Sequence, residues 1–314
     1  MKPEIPVFFS IDDAYAPFLA TALRSAIDNS SKNRSYRAIV LYQSLSEENR
    51  KRIASLAQAH FAVEFVPMQK GLESIADRLS NRLRFDCFTL TIYFRLFIPA
   101  MFEQYDRGIY IDSDVVLLGD LAELFDTDIG DHYIGACNDL SVLQVQPLCE
   151  YMENVVGVQA QRYVNSGVLL MNLKKLRQAN LDRHFLQLLN RYHFDSVAPD
   201  QDYLNALCSG KIYYLDSKWN TMPNEMLPVD REAKLVHYNL YSKPWCYDDI
   251  QYSEHFWHYA KDSGYYGEIC RIRQAFRPDK QDGLDILVQR AVQISRTEKI
   301  TLRAMQERGE RIRL

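Results

Sequence analysis

From the N-terminus to about Leu215, short runs of apolar residues alternate with stretches whose apolar positions recur at helical spacing. Val7-Phe8-Phe9-Ser10-Ile11 reads as a buried strand, and Phe18, Leu19, Ala22, Leu23 and Ala26 then make one face of a helix. Ala38-Ile39-Val40-Leu41-Tyr42 predicts a second strand, and Ser46 the N-cap of a helix presenting Ile53, Leu56 and Ala57. Val63-Glu64-Phe65-Val66 predicts a third strand, ended by Pro67. A second round follows, with a helix over 91–101 and strands over 108–111, 133–137 and 168–171. Leu181, Phe185, Leu188, Leu189 and Tyr192 form the apolar stripe of another helix. Continuous apolar strands alternating with helices predict an α/β, Rossmann-like domain whose central, mostly parallel sheet is flanked by helices. In such sheets the ligand sits beyond the carboxyl ends of the strands.

After Trp245 the pattern changes. Residues 252–266 interleave Tyr, Phe, Trp and His, 278–283 read as a polar linker, and 284–314 predict a helical tail. These shifts predict a catalytic domain over 1–250 and a helical C-terminal region over 251–314. The tail carries Arg290, Arg296, Lys299, Arg303, Arg308, Arg311 and Arg313 against only Asp285, Glu298, Glu307 and Glu310. Such a tail suits peripheral contact with an anionic membrane; a solvated or oligomer-forming helix shares the pattern, and both readings stay open.

With 314 residues, 47% of them hydrophobic, the chain can bury a large core. A net charge of −4 without a basic stripe over the main body argues against nucleic-acid binding. The opening Met-Lys-Pro-Glu-Ile-Pro lacks the apolar core of a signal peptide, and the most apolar stretch, 88–102, is broken by Arg95 and Pro99. Six cysteines without a CxxC pair predict free thiols in a reducing cytoplasm.

Chemistry concentrates at Gly108-Ile-Tyr-Ile-Asp112-Ser113-Asp114, an apolar strand ending in two carboxylates. At i and i+2 in extended chain they face the same way, and two like charges held together call for a hard divalent cation. His237 follows a short apolar run, and an imidazole added to two carboxylates favours Mn²⁺ over Mg²⁺. Lys243, in a polar turn before Pro244, suits a phosphate. Taken singly, His237 reads as a structural histidine and Lys243 as a surface lysine. Asp12-Asp13, Asn138-Asp139 and Asn165-Ser166-Gly167 also sit at strand ends, and Pro199-Asp200-Gln201-Asp202 opens a helix. Each alone is explained by a cap or a turn; their recurrence where the sheet opens is not.

These motifs, in this order from about Pro6 to Trp245, resemble glycosyltransferase family 8, the retaining GT-A-type enzymes that include bacterial lipopolysaccharide galactosyltransferases and glucosyltransferases. The likeness is most specific in Ile111-Asp112-Ser113-Asp114, the run from Asn165 to Leu173, Asp200-Gln201-Asp202 and His237…Lys243-Pro244-Trp245. It implies Mn²⁺, with Mg²⁺ as second choice, held by Asp112, Asp114 and His237. The implied donor is UDP-glucose or UDP-galactose, and the acceptor a glycan or glycolipid. By the same likeness Asp12 bonds the uracil, Tyr15 stacks on it, and Lys243 binds the diphosphate. Ser113 joins the donor site, with Asp112 also near the ribose. Arg95, Asp139, Asn165 and Asp200 contact the donor sugar, and Gln201 lies near the anomeric carbon. Ala14 stands where the family often has Asn, and Leu240 where some members have a Gly approaching the phosphates.

For the retaining step, Gln201 is a poor nucleophile, while Asp200 and Asp202 are chemically better ones; front-face attack within an ion pair is the favoured route. Two other readings compete. Asp112-Ser-Asp114 after a strand also fits a haloacid-dehalogenase-type phosphatase, although that motif normally opens its domain. The aromatic-rich 252–266 region also fits a non-catalytic carbohydrate-binding protein, or self-glucosylation on tyrosine.

Overall fold

The computed structural model describes residues 3–68, 90–277 and 283–314. Its main sheet contains β1 (Ile5–Ile11), β2 (Tyr36–Tyr42), β3 (Phe61–Pro67), β4 (Gly108–Ile111), β6 (Ile134–Asn138), β7 (Val164–Met171) and β8 (Ile212–Tyr214), while β5 (Val115–Leu117) and β9 (Leu235–His237) form a separate ribbon. The order across the main sheet is β3-β2-β1-β4-β7-β6-β8. Neighbours are parallel except at β7, which runs antiparallel to both β4 and β6.

The sheet is apolar on both faces, as its continuous apolar strands require. Along β1, Ile5, Val7, Phe9 and Ile11 enter one core cluster, while Phe8 enters the other. Along β2, Tyr36, Ala38 and Val40 alternate with Ile39 and Leu41 in the same way. Helix Ala16–Asp28 packs in the first cluster, helices Leu181–Tyr192 and Pro199–Leu207 in the second. This is the GT-A-type architecture that the resemblance implied.

Several boundaries differ from the sequence reading. Residues 91–101 are not one helix but a 3-10 segment, Leu90–Leu96, then a short helix, Ile98–Met101. Pro99 is accepted only in a helix's first turn, so the helix restarts there. Strand β7 begins at Val164, so Asn165-Ser166-Gly167 lie inside it rather than before it. Because β7 is antiparallel, its N-terminal half lies at the carboxyl end of β4, so the motif still faces the ligand side. Ser46 caps its helix by accepting from the Asn49 amide, but that helix, Glu47–Ala54, stops short of Leu56 and Ala57.

The tail is also two helices, Gly283–Thr297 and Leu302–Glu307. Its apolar side is buried against the body: Leu287, Ala291, Ile294, Leu302, Met305 and Ile312 all join the second core cluster. The linker expected over 278–283 lies outside the described residues except for Gly283. The described cysteines, Cys137, Cys149, Cys208, Cys246 and Cys270, are free thiols; Cys87 lies outside the described residues.

Candidate active site

Two pairings carry distant residues to one point. The Asp112 amide donates to the Gly167 carbonyl at 2.8 Å, extending the β4–β7 ladder one residue beyond Ile111. In the β5–β9 ribbon Val115 lies opposite His237, and the Tyr238 amide donates to the Asp114 carbonyl at 2.9 Å. A carboxylate oxygen from each of Asp112 and Asp114 and a ring nitrogen of His237 therefore lie within 4.8 Å of one another. His237 Nε2 is 3.3 Å from Asp114 Oδ1 and 3.9 Å from Asp112 Oδ2. Its other nitrogen, Nδ1, donates to Asn220 Oδ1 at 2.9 Å, because the Asn220 amide nitrogen is used on Asn165 Oδ1. The tautomer so fixed leaves an Nε2 lone pair aimed at the two carboxylates. Gly167 is required beside them: a Cβ there would meet His237 Cε1 at 2.3 Å and Asp112 Oδ2 at 2.7 Å. Two oxygens and one imidazole nitrogen, with the imidazole buttressed from behind, form a donor set that fits a divalent cation.

Lys243 Nζ bonds Asp114 Oδ2 on the far side. Trp245 anchors this segment by stacking on Phe18, with ring centroids 4.0 Å apart. Burial acts to raise the Asp114 carboxyl, but Lys243 and His237 outweigh it and hold it well below the usual carboxylate range. Leu240, ahead of Lys243, lies at φ +49°, a left-handed conformation that a glycine would adopt freely. This is the position at which the resemblance placed a glycine in some relatives.

Arg95 is the hub of the adjoining network. It donates to Asp112 Oδ1 at 2.9 Å and to the Ser166 carbonyl at 2.6 Å, and its Nε lies 3.2 Å from Asp200 Oδ2. Its guanidinium covers the Tyr110 ring at 4.2 Å, and the Tyr110 hydroxyl donates to Asp112 Oδ1 at 2.8 Å. Burial pushes that phenol well above its ordinary pKa, so it remains a donor.

Gln201 is held at both ends. Its Nε2 donates to Asp139 Oδ2 at 2.9 Å, and its Oε1 accepts from the Ser166 amide at 3.0 Å. Asp139 Oδ2 also accepts from Asn165 Nδ2 at 3.1 Å. Asp200 Oδ2 accepts from the Ser166 hydroxyl at 2.9 Å. Asp202 is 1% exposed, and its oxygens accept from the hydroxyls of Tyr151, Tyr163 and Ser196. Burial raises its carboxyl above the ordinary value, while those hydrogen bonds pull the other way.

At the opposite end, Asp12 Oδ1 caps a 3-10 turn by accepting from the Ala14 and Tyr15 amides at 3.1 and 3.2 Å. Every residue proposed from the sequence, from Asp12 to Lys243, lines one cavity of about 310 Å³. The sequence reading missed Asn220, Tyr110, Ser141 and Asn239. Asn220 stands in no motif, and Tyr110 was read only as part of an apolar strand. The Ser141 hydroxyl donates to Asp139 and accepts from Asn239 at 3.0 Å, a link between distant loops that spacing could not reveal.

Known proteins share the sequence pattern and the fold. The profile of Glycosyl transferase family 8 matches residues 6–249. A Haemophilus influenzae protein named as a glycosyltransferase is 30% identical over 220 residues, covering 70% of this chain and 64% of that protein. The lipopolysaccharide 1,2-glucosyltransferase of Escherichia coli is 28% identical over 168 residues, covering 49% of this chain and 48% of that one. The chain thus spans less than two thirds of the length of either relative. The crystal structure of galactosyltransferase LgtC with donor and acceptor sugar analogs superposes with a TM-score of 0.69 and 26% identity, covering 82% of this chain and 96% of that chain. The chain belongs to glycosyl transferase family 8.

Proposed function

We propose that the chain transfers a hexose from UDP-glucose or UDP-galactose to a glycan or glycolipid acceptor, with retention at the anomeric carbon and with Mn²⁺ as the preferred metal. The observation that carries this reading is the convergence of Asp112, Asp114 and His237 beside Lys243, in the cavity that also holds Arg95, Asp200 and Gln201.

In this reading Asp112, Asp114 and His237 hold the metal, which supplies Lewis-acid neutralisation of the departing diphosphate. Lys243 adds its ammonium charge to the same phosphates. Asp12 bonds the uracil and Tyr15 stacks on it, while Ser113 lines the donor path. Arg95, Asp139, Asn165 and Asp200 fix the sugar, a contribution through positioning. The acceptor hydroxyl oxygen bonds the anomeric carbon as the bond to the diphosphate oxygen breaks, and the hydroxyl proton passes to that oxygen. Gln201, neutral and held at both ends, sits under the reacting carbon without attacking it. Asp202 serves as a positioning residue, since its oxygens are already engaged by three hydroxyls. We therefore favour front-face attack.

We propose a cytoplasmic enzyme whose basic tail contacts the inner face of the membrane, with a solvated or oligomer-forming tail as the competing reading. Among the described residues no helix is long and apolar enough to cross a bilayer. Because most of the tail's apolar side is buried, its membrane contact rests mainly on exposed Arg296, Lys299, Arg308, Arg311 and Arg313, with Ile300 the large apolar side chain exposed beside them. Family membership gives no support to the phosphatase reading. A screen of UDP release from UDP-glucose and UDP-galactose, with Mn²⁺ and with a chelator, tests the proposal. Metal-dependent release supports it; phosphate release from a phosphomonoester without UDP release would restore the phosphatase.

A further inference from the structure

Leu287 enters the wall of the catalytic cavity from the tail, beyond residue 249 where the family match ends. Beside the carboxylates, His237, Arg95 and Gln201, the cavity is lined by Val142, Leu148, Met152, Val197 and Leu287, which share one core cluster with Tyr151 and Tyr163. The helix carrying Leu287 is pinned to both sides of the site. At its start the Tyr241 hydroxyl, two residues before Lys243, donates to the Gly283 carbonyl at 2.8 Å. The approach is so close that a Cβ on Gly283 would lie 1.9 Å from the Tyr241 ring. Farther along, Arg290 donates to Asp195 Oδ1 at 2.6 Å and to the Ser196 carbonyl at 3.3 Å, just ahead of the helix that presents Asp200 and Gln201.

We propose that this apolar part is an acceptor subsite that takes an alkyl or aryl group joined to the acceptor sugar, with Leu287 as a specificity-determining residue. The inference rests on the glycosyl-transfer reading above. A UDP-hexose is uracil, ribose, diphosphate and sugar, with no alkyl or aryl substituent to place against five apolar side chains. The Tyr151 and Tyr163 hydroxyls beside them are already given to Asp202, so a bare glycan would bury hydroxyls there with few free partners, at a cost in affinity. An apolar aglycone gains by leaving water, and the pinned helix holds the wall in place to receive it. Since Leu287 lies outside the family match, the preference belongs to this chain's tail.

The test uses the full chain with Mn²⁺ and each UDP-hexose, with methyl and octyl β-glucosides and β-galactosides as probe acceptors below micellar concentration. The readout is the ratio of hexose transferred to octyl over methyl glycoside, followed by product mass. A ratio of ~10 or more is expected. Leu287→Asn, which makes the wall polar, and Leu287→Phe, which fills the space, each bring the ratio toward one. The ratio is insensitive to a general loss of activity, and the wild-type comparison needs no variant to fold. A wild-type ratio near one, or transfer to neither glycoside, overturns the subsite. Donor hydrolysis without acceptor reports the transfer reading separately: UDP release without octyl preference sinks the subsite alone, and no release sinks both.

Discussion

His237 Nδ1 donates to Asn220 Oδ1 at 2.9 Å, and that one bond determines which ring nitrogen faces Asp112 and Asp114. A histidine free to rotate or change tautomer would offer its lone pair to the carboxylates only part of the time. Asn220→Ala is therefore expected to lower Mn²⁺ affinity in the presence of UDP by about 10- to 100-fold, the usual cost of losing such a support. Calorimetric titration of Mn²⁺ into the UDP complex measures it; unchanged affinity would remove Asn220 from the account.

Gly167 makes the complementary prediction by crowding. A methyl group there would stand 2.3 Å from the His237 ring and 2.7 Å from Asp112, and both neighbours belong to the metal-binding group. Gly167→Ala is expected to weaken Mn²⁺ binding and to cost about 1–3 kcal/mol of stability through overpacking. Paired denaturation and metal titrations check both parts. A variant that binds Mn²⁺ as the wild type does would show that the crowding is relieved elsewhere.

Arg95 bridges Asp112 and Asp200 from a side chain only 5% exposed. Removing it leaves two poorly solvated carboxylates without their shared cation, so Arg95→Ala is expected to destabilise the fold by about 3–5 kcal/mol. Arg95→Lys keeps the charge but cannot reproduce the fork that reaches Ser166, Asp112 and Asp200, and is expected to fall between. Urea denaturation at neutral pH ranks the three proteins; equal midpoints would contradict the hub role.

Much of this site was legible in the sequence because its chemistry sits at strand ends. The apolar runs of β1, β2, β4 and β6 located the ends of the sheet, and Asp112-Ser113-Asp114 stood directly after one of them. What stayed hidden depends on pairing across the chain. Asn165, Ser166 and Gly167 look like strand breakers, yet they extend β7 because Gln201 Oε1 and Asn165 Oδ1 accept from the Ser166 and Gly167 amides and the Asp112 amide donates to the Gly167 carbonyl. The β5–β9 ribbon that delivers His237 to Asp114 is built from two three-residue strands, too short to show a period. Asn220 and Leu287 carry no local signal at all, because each acts through a contact made only in three dimensions.

The tail yields a prediction about salt. Membrane contact carried by exposed arginines and a lysine, with the apolar face buried, is electrostatic and screened over about 8 Å at physiological ionic strength. Co-sedimentation with anionic vesicles is expected at low salt and to disappear as salt is raised, and to be absent with neutral vesicles. Salt-resistant binding, or equal binding to neutral vesicles, would contradict this mode.

In the proposed reaction Asp112, Asp114 and His237 grip one divalent ion for a nucleotide diphosphate. Electron paramagnetic resonance of free Mn²⁺, titrated with protein in the presence of UDP, tests it most directly. Loss of the free-ion signal at one Mn²⁺ per chain is expected in the wild type, and little loss with Asp112→Asn/Asp114→Asn. Stoichiometric Mn²⁺ uptake by that double variant, folded as judged by its thermal transition, would contradict it.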